Sequence, residues 1–227
     1  MNREANVNRP YRSDLRQEGA RATRFAIIRA AQDLFARDGY GGTSIDAIAR
    51  QAGVARATIF NSVGGKPALM RAAYHAAVVG GDDPRHPREG PLGERARQAA
   101  TPEEVLHVYA EVLAEVFEAV SSIHSALVTA SSDSDELRAM LDELDSGRYV
   151  GAANIVDLLL ERGDLAPGMT KERAADILWV FNDPRLWHAL HRERAWDRSE
   201  FTDWLSGTLK SQLLPADQGA KDASSSR

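Results

Sequence analysis

The 227-residue chain has no cysteine, which removes disulfides, thiol redox sensing and cysteine-ligated zinc from consideration. No apolar run approaches the roughly 18–20 residues that span a bilayer, so no membrane association is expected. The polar, arginine-bearing N-terminus lacks a following apolar segment and does not read as a secretory signal. That points to the cytoplasm. Segments of strand period and internal repeats are also missing, which leaves an all-α chain.

Catalytic signatures are equally thin. Ser121, Ser122, Ser125 and His124 lie close in sequence, without a glycine-flanked serine elbow. Gly64-Gly65-Lys66-Pro67 is too short for a phosphate loop and follows no strand. His107 with Glu111, and His188 with His191, each supply two ligands on one helix face, whereas zinc needs three or more. The reading is therefore of a protein that is not an enzyme, with no metal and no cofactor.

What is present is a folded composition, 43% apolar, with an uneven charge distribution. Residues 1–79 carry 12 Lys and Arg against 6 Asp and Glu, and the remainder 16 against 27. A basic N-terminal third on an acidic body suits one end that meets a polyanion.

Residues 1–20, with Arg3, Arg9, Arg12 and Arg16, have almost no apolar periodicity and read as a flexible basic arm, whose arginines would suit a minor groove. From about Ala20 to Asp38, Phe25, Ile27, Ile28, Ala31, Leu34 and Phe35 recur at helical spacing, and Gly39 supplies a left-handed cap. Thr43 with Asp46 resembles a capping box for a second helix that stops before Gly53. A third helix is expected over 55–62, and a fourth from Lys66-Pro67, where proline suits a first turn.

Residues 80–101, with Pro84, Pro87 and Pro91, read as a connection holding a short helix near Glu94–Ala99. Residues 102–214 return to helix. A broad stripe runs from Val105 to Leu127, a second helix covers 135–162 with a bend near Gly147 and Gly151, and three helical segments follow. Asp183-Pro184 and the Asp197/Glu200 pair mark two of their starts. Residues 215–227 read as a disordered tail. The architecture is thus an N-terminal three-helix helix-turn-helix domain over 21–79 and a C-terminal helical bundle over 102–214.

Function is concentrated in residues 43–60. Two helices joined by a tight turn need a small residue where their axes approach, a glycine at the turn and an apolar residue filling the corner. Ala49, Gly53 and Val54 meet those needs at the right offsets. The second helix then points its first residues outward, where a major groove can receive them.

The chain here resembles the TetR family of transcriptional regulators. The resemblance lies in Ile28-x-x-Ala31-x-x-Leu34-Phe35-x-x-x-Gly39-Tyr40, Thr43-Ser44-Ile45-x-x-Ile48-Ala49, Gly53-Val54, Thr58-Ile59-Phe60 and Lys66, and covers residues 21–79. It implies that Thr43 or Ser44 meets phosphate at the start of the second helix. Arg56, Ala57, Thr58 and Asn61 would face base edges or nearby phosphates, with Phe60 partly in the core and Phe60, Asn61 and Ser62 forming the stretch that is aromatic-rich in the family. Lys66 would neutralise a phosphate. Ala55 departs from the serine that many members place there, and Phe60 from a tyrosine.

The resemblance further implies a homodimer joined through the C-terminal helices, bound to an inverted-repeat operator on double-stranded DNA and released by a small-molecule effector, most simply as a repressor. Polar and aromatic residues on otherwise apolar helices, Tyr109, His124, Asn154, Trp179, Asn182 and Trp187, are the candidates for lining the effector pocket.

Overall fold

The computed structural model describes residues 8–80 and 91–216, and every regular element among them is helical. Helix α1, Asn8–Gly42, starts twelve residues before the expected Ala20. From residue 8 onward the supposed arm is therefore helix, and residues 1–7 of it lie outside the described residues. The physical reason is propagation: Arg12–Ala22 is rich in strong helix formers, and extending an existing helix needs no apolar stripe. Helical geometry breaks at Gly39 (φ 71°, ψ 172°), a backbone region that only glycine occupies freely.

Helices α2 (Ile45–Ala52), α3 (Arg56–Ser62) and α4 (Lys66–Val79) follow, then α5 (Pro91–Gln98) within the expected connection. The long helices α6 (Pro102–Ser131) and α7 (Asp135–Arg162) come next. Helix α7 runs through Gly147 and Gly151 as one element. Helix α8 (Lys171–Phe181) is capped by Thr170, whose side chain accepts from the Arg173 amide. Asp183 caps the single turn α9 (Pro184–Trp187), which continues as a π-helical turn, His188–Arg192. Helix α10 (Arg198–Leu213) opens with the expected capping box: the Glu200 amide donates to Asp197 at 2.9 Å, and the Asp197 amide to Glu200 at 2.8 Å.

The residues divide into two compact units, the first drawn from Met1–Pro84 and Ser122–Leu141, the second from Arg85–Ser121 and Asp142–Arg227. In the first, Ile27, Ala31 and Phe35 of α1, Ile48 of α2, Ile59 of α3 and Leu69, Met70 and Ala73 of α4 have no exposed surface. Burying side chains of this size stabilises by about 1.5–3 kcal/mol each for the large ones. Side-chain bonds join the helices: the Gln32 amide donates to the Ala73 carbonyl at 3.1 Å, and the Tyr74 hydroxyl meets His124 Nδ1 at 3.2 Å.

The core of the second unit gathers Val105, Leu106, Leu113 and Phe117 with Val156, Leu159, Leu178, Trp187, Phe201, Leu205 and Leu209. Helix α6 corrects one expectation. Among the described residues it is long and apolar enough to cross a membrane, with mean hydropathy 1.3 over its best window. Half of that window is buried inside the protein, as a helix that packs on several sides must be.

Candidate nucleic-acid interface

The corner between α2 and α3 is a Schellman arrangement. Gly53 turns left-handed (φ 69°, ψ 29°), its amide donates to the Arg50 carbonyl at 3.3 Å, and the Val54 amide reaches the Ala49 carbonyl at 3.0 Å. Those bonds satisfy the last carbonyls of α2 and start α3 at a fixed angle. Behind the corner, Ile48, Ala49 and Ile59 are buried. The opposite face of α3 is open: Arg56, Ala57, Phe60 and Asn61 are all exposed. Ala55 starts the helix with no side-chain cap.

Of the two residues offered as alternatives for meeting phosphate, Thr43 is turned inward. Thr43 is only 2% exposed, and its hydroxyl lies 2.8 Å from the Gly39 carbonyl and 3.1 Å from that of Leu34. Its amide donates to Tyr40 at 3.3 Å. Both groups expected to face phosphate are thus spent on closing the end of α1. Ser44, exposed, is the cap of α2, accepting from the Ala47 amide at 3.1 Å. Phe60, expected partly in the core, is 46% exposed, because Ile59 fills the inward position of so short a helix.

Thr58 and Ser62 are half-buried. The Ser62 carbonyl accepts from Arg24 of α1, which ties the far end of α3 to the scaffold. Lys66, half-buried at the first turn of α4, sets its ammonium 4.2 Å from the centre of the Tyr40 ring. Burial lowers the Lys66 pKa; burial, aided by the Glu136 charge, raises that of Tyr40.

Arg56 is held on two sides. Its Nη1 donates to both Asp46 carboxylate oxygens at 3.0 Å, and its guanidinium carbon lies 5.8 Å from the centre of the Phe60 ring. Asp46 sits in the first turn of α2. Reading by helical position missed this pairing, since the two residues are ten apart and meet only once Gly53 has turned the chain.

The six effector-pocket candidates separate. Tyr109, Trp179 and Asn182 share a polar centre in the second unit, built around Arg148 of α7. Arg148 Nη2 donates to Asp145 at 2.7 Å, Nη1 donates to the Asn182 carbonyl, and the guanidinium faces the Trp179 ring at 5.7 Å. The indole Nε1 of Trp179 donates to the Asp145 carbonyl at 3.2 Å. Tyr109 is buried, its hydroxyl has no partner among the described residues, and burial, partly offset by the Arg148 charge, drives its phenol pKa far up. Arg148 was not foreseen; the i,i+3 spacing from Asp145 in a helix was its available signal.

Trp187 is a buried core residue, stacked on His191 at 4.7 Å and edge-on to Phe201 at 5.1 Å. Asn154 is exposed on α7, and His124 belongs to the first unit with Tyr74. Neither joins the Arg148 centre.

Residues 27–73 match the family described as bacterial regulatory proteins, tetR family. No curated protein matches the chain significantly. Among solved structures, the fold is similar to that of NalD, the secondary repressor of the MexAB-OprM multidrug efflux pump in Pseudomonas aeruginosa. That likeness has a TM-score of 0.61 at 23% identity, over 87% of this chain and 98% of that one. Also similar is the transcriptional regulator FadR of Bacillus subtilis, solved with stearoyl-CoA, at TM-score 0.61 and 21% identity over 81% and 96% of the two chains. The fatty acid degradation regulator FadR of Bacillus halodurans matches at TM-score 0.62 and 17% identity, over 81% and 92%.

Proposed function

We propose that this chain, whose residues 27–73 match the tetR family of bacterial regulatory proteins, is a transcriptional regulator of that family and acts in the cytoplasm as a repressor. In this reading a homodimer joined through α8 and α10 binds an inverted-repeat operator, and a small molecule held in the second unit releases it. The observation that carries the proposal is α3: a short helix fixed behind a Schellman corner, with Arg56, Ala57, Phe60 and Asn61 all outward.

In a two-fold dimer the two α3 helices would enter successive major grooves, about 34–36 Å apart. Ser44 and the amides at the start of α2 would hold one phosphate and Lys66 another, with Thr58 and Ser62 at the margin of the contact. Exposed Val180 and half-buried Ile177 of α8 offer apolar surface for the partner copy. The unpartnered Tyr109 hydroxyl, with Arg148, Trp179 and Asn182, would supply the polar end of the effector pocket. NalD is a repressor and the Bacillus subtilis FadR structure holds stearoyl-CoA, which gives the repressor sense and the small-molecule sense a parallel in this fold.

The test is a fluorescence-anisotropy titration of the purified protein with duplex DNA flanking its own gene, repeated from 50 to 200 mM salt. Sequence-selective binding is expected, falling by roughly 10³–10⁵ over that range if six to ten phosphates are contacted. Equal, weak binding to every duplex would overturn the reading.

A further inference from the structure

We propose that Asp46 and Phe60 hold Arg56 as a pre-set guanine reader, so that Asp46, a residue that touches no base, sets the sequence preference at one operator position. The proposal rests on the DNA-binding reading above. It starts from an apparent conflict. Asp46 lies in the first turn of α2, two residues after the Ser44 cap. In the free protein a carboxylate is welcome there, because the helix dipole is positive. On DNA the same end of α2 faces phosphate, and a carboxylate repels it. A residue whose charge opposes the ligand needs a compensating partner, and Arg56 is that partner, with Nη1 at 3.0 Å from both carboxylate oxygens.

The pair is exposed, with side chains 58% and 62% accessible, so its direct contribution to stability is small. Its effect is on direction. An unrestrained surface arginine samples many rotamers and reaches for the nearest phosphate. Here the guanidinium is pinned at one edge by Asp46, and Phe60, one turn further along α3 and on the same face, lies 5.8 Å from its carbon. With Nη1 engaged, Nε and Nη2 make no hydrogen bond among the described residues. They form a two-donor edge, and of the four bases only guanine offers two acceptors, O6 and N7, to such an edge in the major groove. The carboxylate also shields the arginine from non-specific phosphate contact, which trades general affinity for discrimination.

Selection of duplexes from a randomised library by the full-length protein, followed by competition titrations with single-base variants, tests this. For the wild type, guanine is expected at one position in each half-site, favoured by roughly 5- to 150-fold over other bases. Arg56→Ala should erase the preference at that position alone. Asp46→Ala should lower the same preference about fivefold or more, while binding to unrelated duplex DNA strengthens. Asp46→Asn, which keeps one acceptor for Nη1, should recover part of the preference, a result that a merely structural Asp46 would not produce. Undiminished guanine preference in Asp46→Ala, or unchanged base preferences in Arg56→Ala, overturns the proposal while leaving DNA binding intact. Failure of the wild type to enrich any sequence would instead strike the DNA-binding reading itself.

Discussion

The Thr43 side chain shares its hydroxyl hydrogen between the carbonyls of Leu34 and Gly39, at 3.1 and 2.8 Å, and so closes the end of α1 from inside the protein. Its neighbour Ser44, one residue on, faces outward and caps α2. Thr43→Val should therefore cost about 1 kcal/mol of stability through the lost buried hydrogen bond, with DNA affinity unchanged below the melting transition. Ser44→Ala should cost a similar amount, about 1 kcal/mol, through the lost cap, and should also weaken DNA binding. Denaturant titration with parallel anisotropy measurements separates the two; equal effects of both substitutions on affinity would contradict the assignment.

Gly53 carries the turn between α2 and α3 with φ 69°, and a Cβ built there meets nothing within 4 Å. The cost of Gly53→Ala is then conformational alone, about 1–2 kcal/mol for a left-handed alanine, whereas Gly53→Asn should be milder. Chemical denaturation of the two variants checks the order. A larger loss in the asparagine variant would show that crowding, not backbone geometry, selects glycine.

Lys66→Ala is expected to weaken binding on every duplex and to lower the slope of log affinity against log salt by about one. The ammonium lies over the Tyr40 ring in the free protein, so Tyr40→Leu should weaken binding less and leave the slope unchanged. A base-selective effect of Lys66→Ala would remove it from the phosphate contacts.

Much of this architecture was legible in the sequence, and the failures share a cause. Apolar spacing located Ile27, Ile48, Ile59 and Leu69 in the core, and the Gly53, Pro67, Asp183 and Asp197/Glu200 signals marked real turns and caps. These are local rules, acting over three or four residues. Thr43 against Ser44 was misjudged because both are good caps, and only the position of Leu34, nine residues away, decides which hydroxyl turns inward. The early start of α1 was hidden because a polar helical extension leaves no apolar stripe to read. Arg56 with Asp46, and Arg148 with Asn182, are contacts across a turn or between helices, which periodicity does not encode.

Tyr109 places a buried hydroxyl where no partner among the described residues answers it. Removing such a group is neutral or favourable in the free protein, because its desolvation penalty disappears with it. Tyr109→Phe should thus melt at the same or a higher temperature than the wild type, yet lose response to the effector. A stability loss above about 1 kcal/mol would mean that the hydroxyl has a partner after all.

Asp183 contributes to the pH dependence of stability. Burial alone would raise its carboxyl pKa, but the Arg185 side chain and amide, and the nearby Arg148, outweigh that and leave it below the ordinary value of 3.8. A carboxylate depressed on folding contributes stability that is present above its unfolded pKa and is lost as pH falls through the folded one. Asp183→Asn should accordingly flatten the stability profile below about pH 4 and leave the profile near neutrality parallel to that of the wild type. An unchanged acid limb in urea titrations would show that other carboxylates dominate acid unfolding.

The first unit takes in Ser122–Leu141 as well as the N-terminal residues. It is therefore discontinuous along the chain, and a gene truncated after Pro84 would encode a head without the segment that supplies Ile123, His124, Leu127 and Leu137 to it. During synthesis, which proceeds from the N-terminus, the head cannot complete its packing until residue 141 has left the ribosome. Neither unit is consequently obtained free of the other's residues by a single cut.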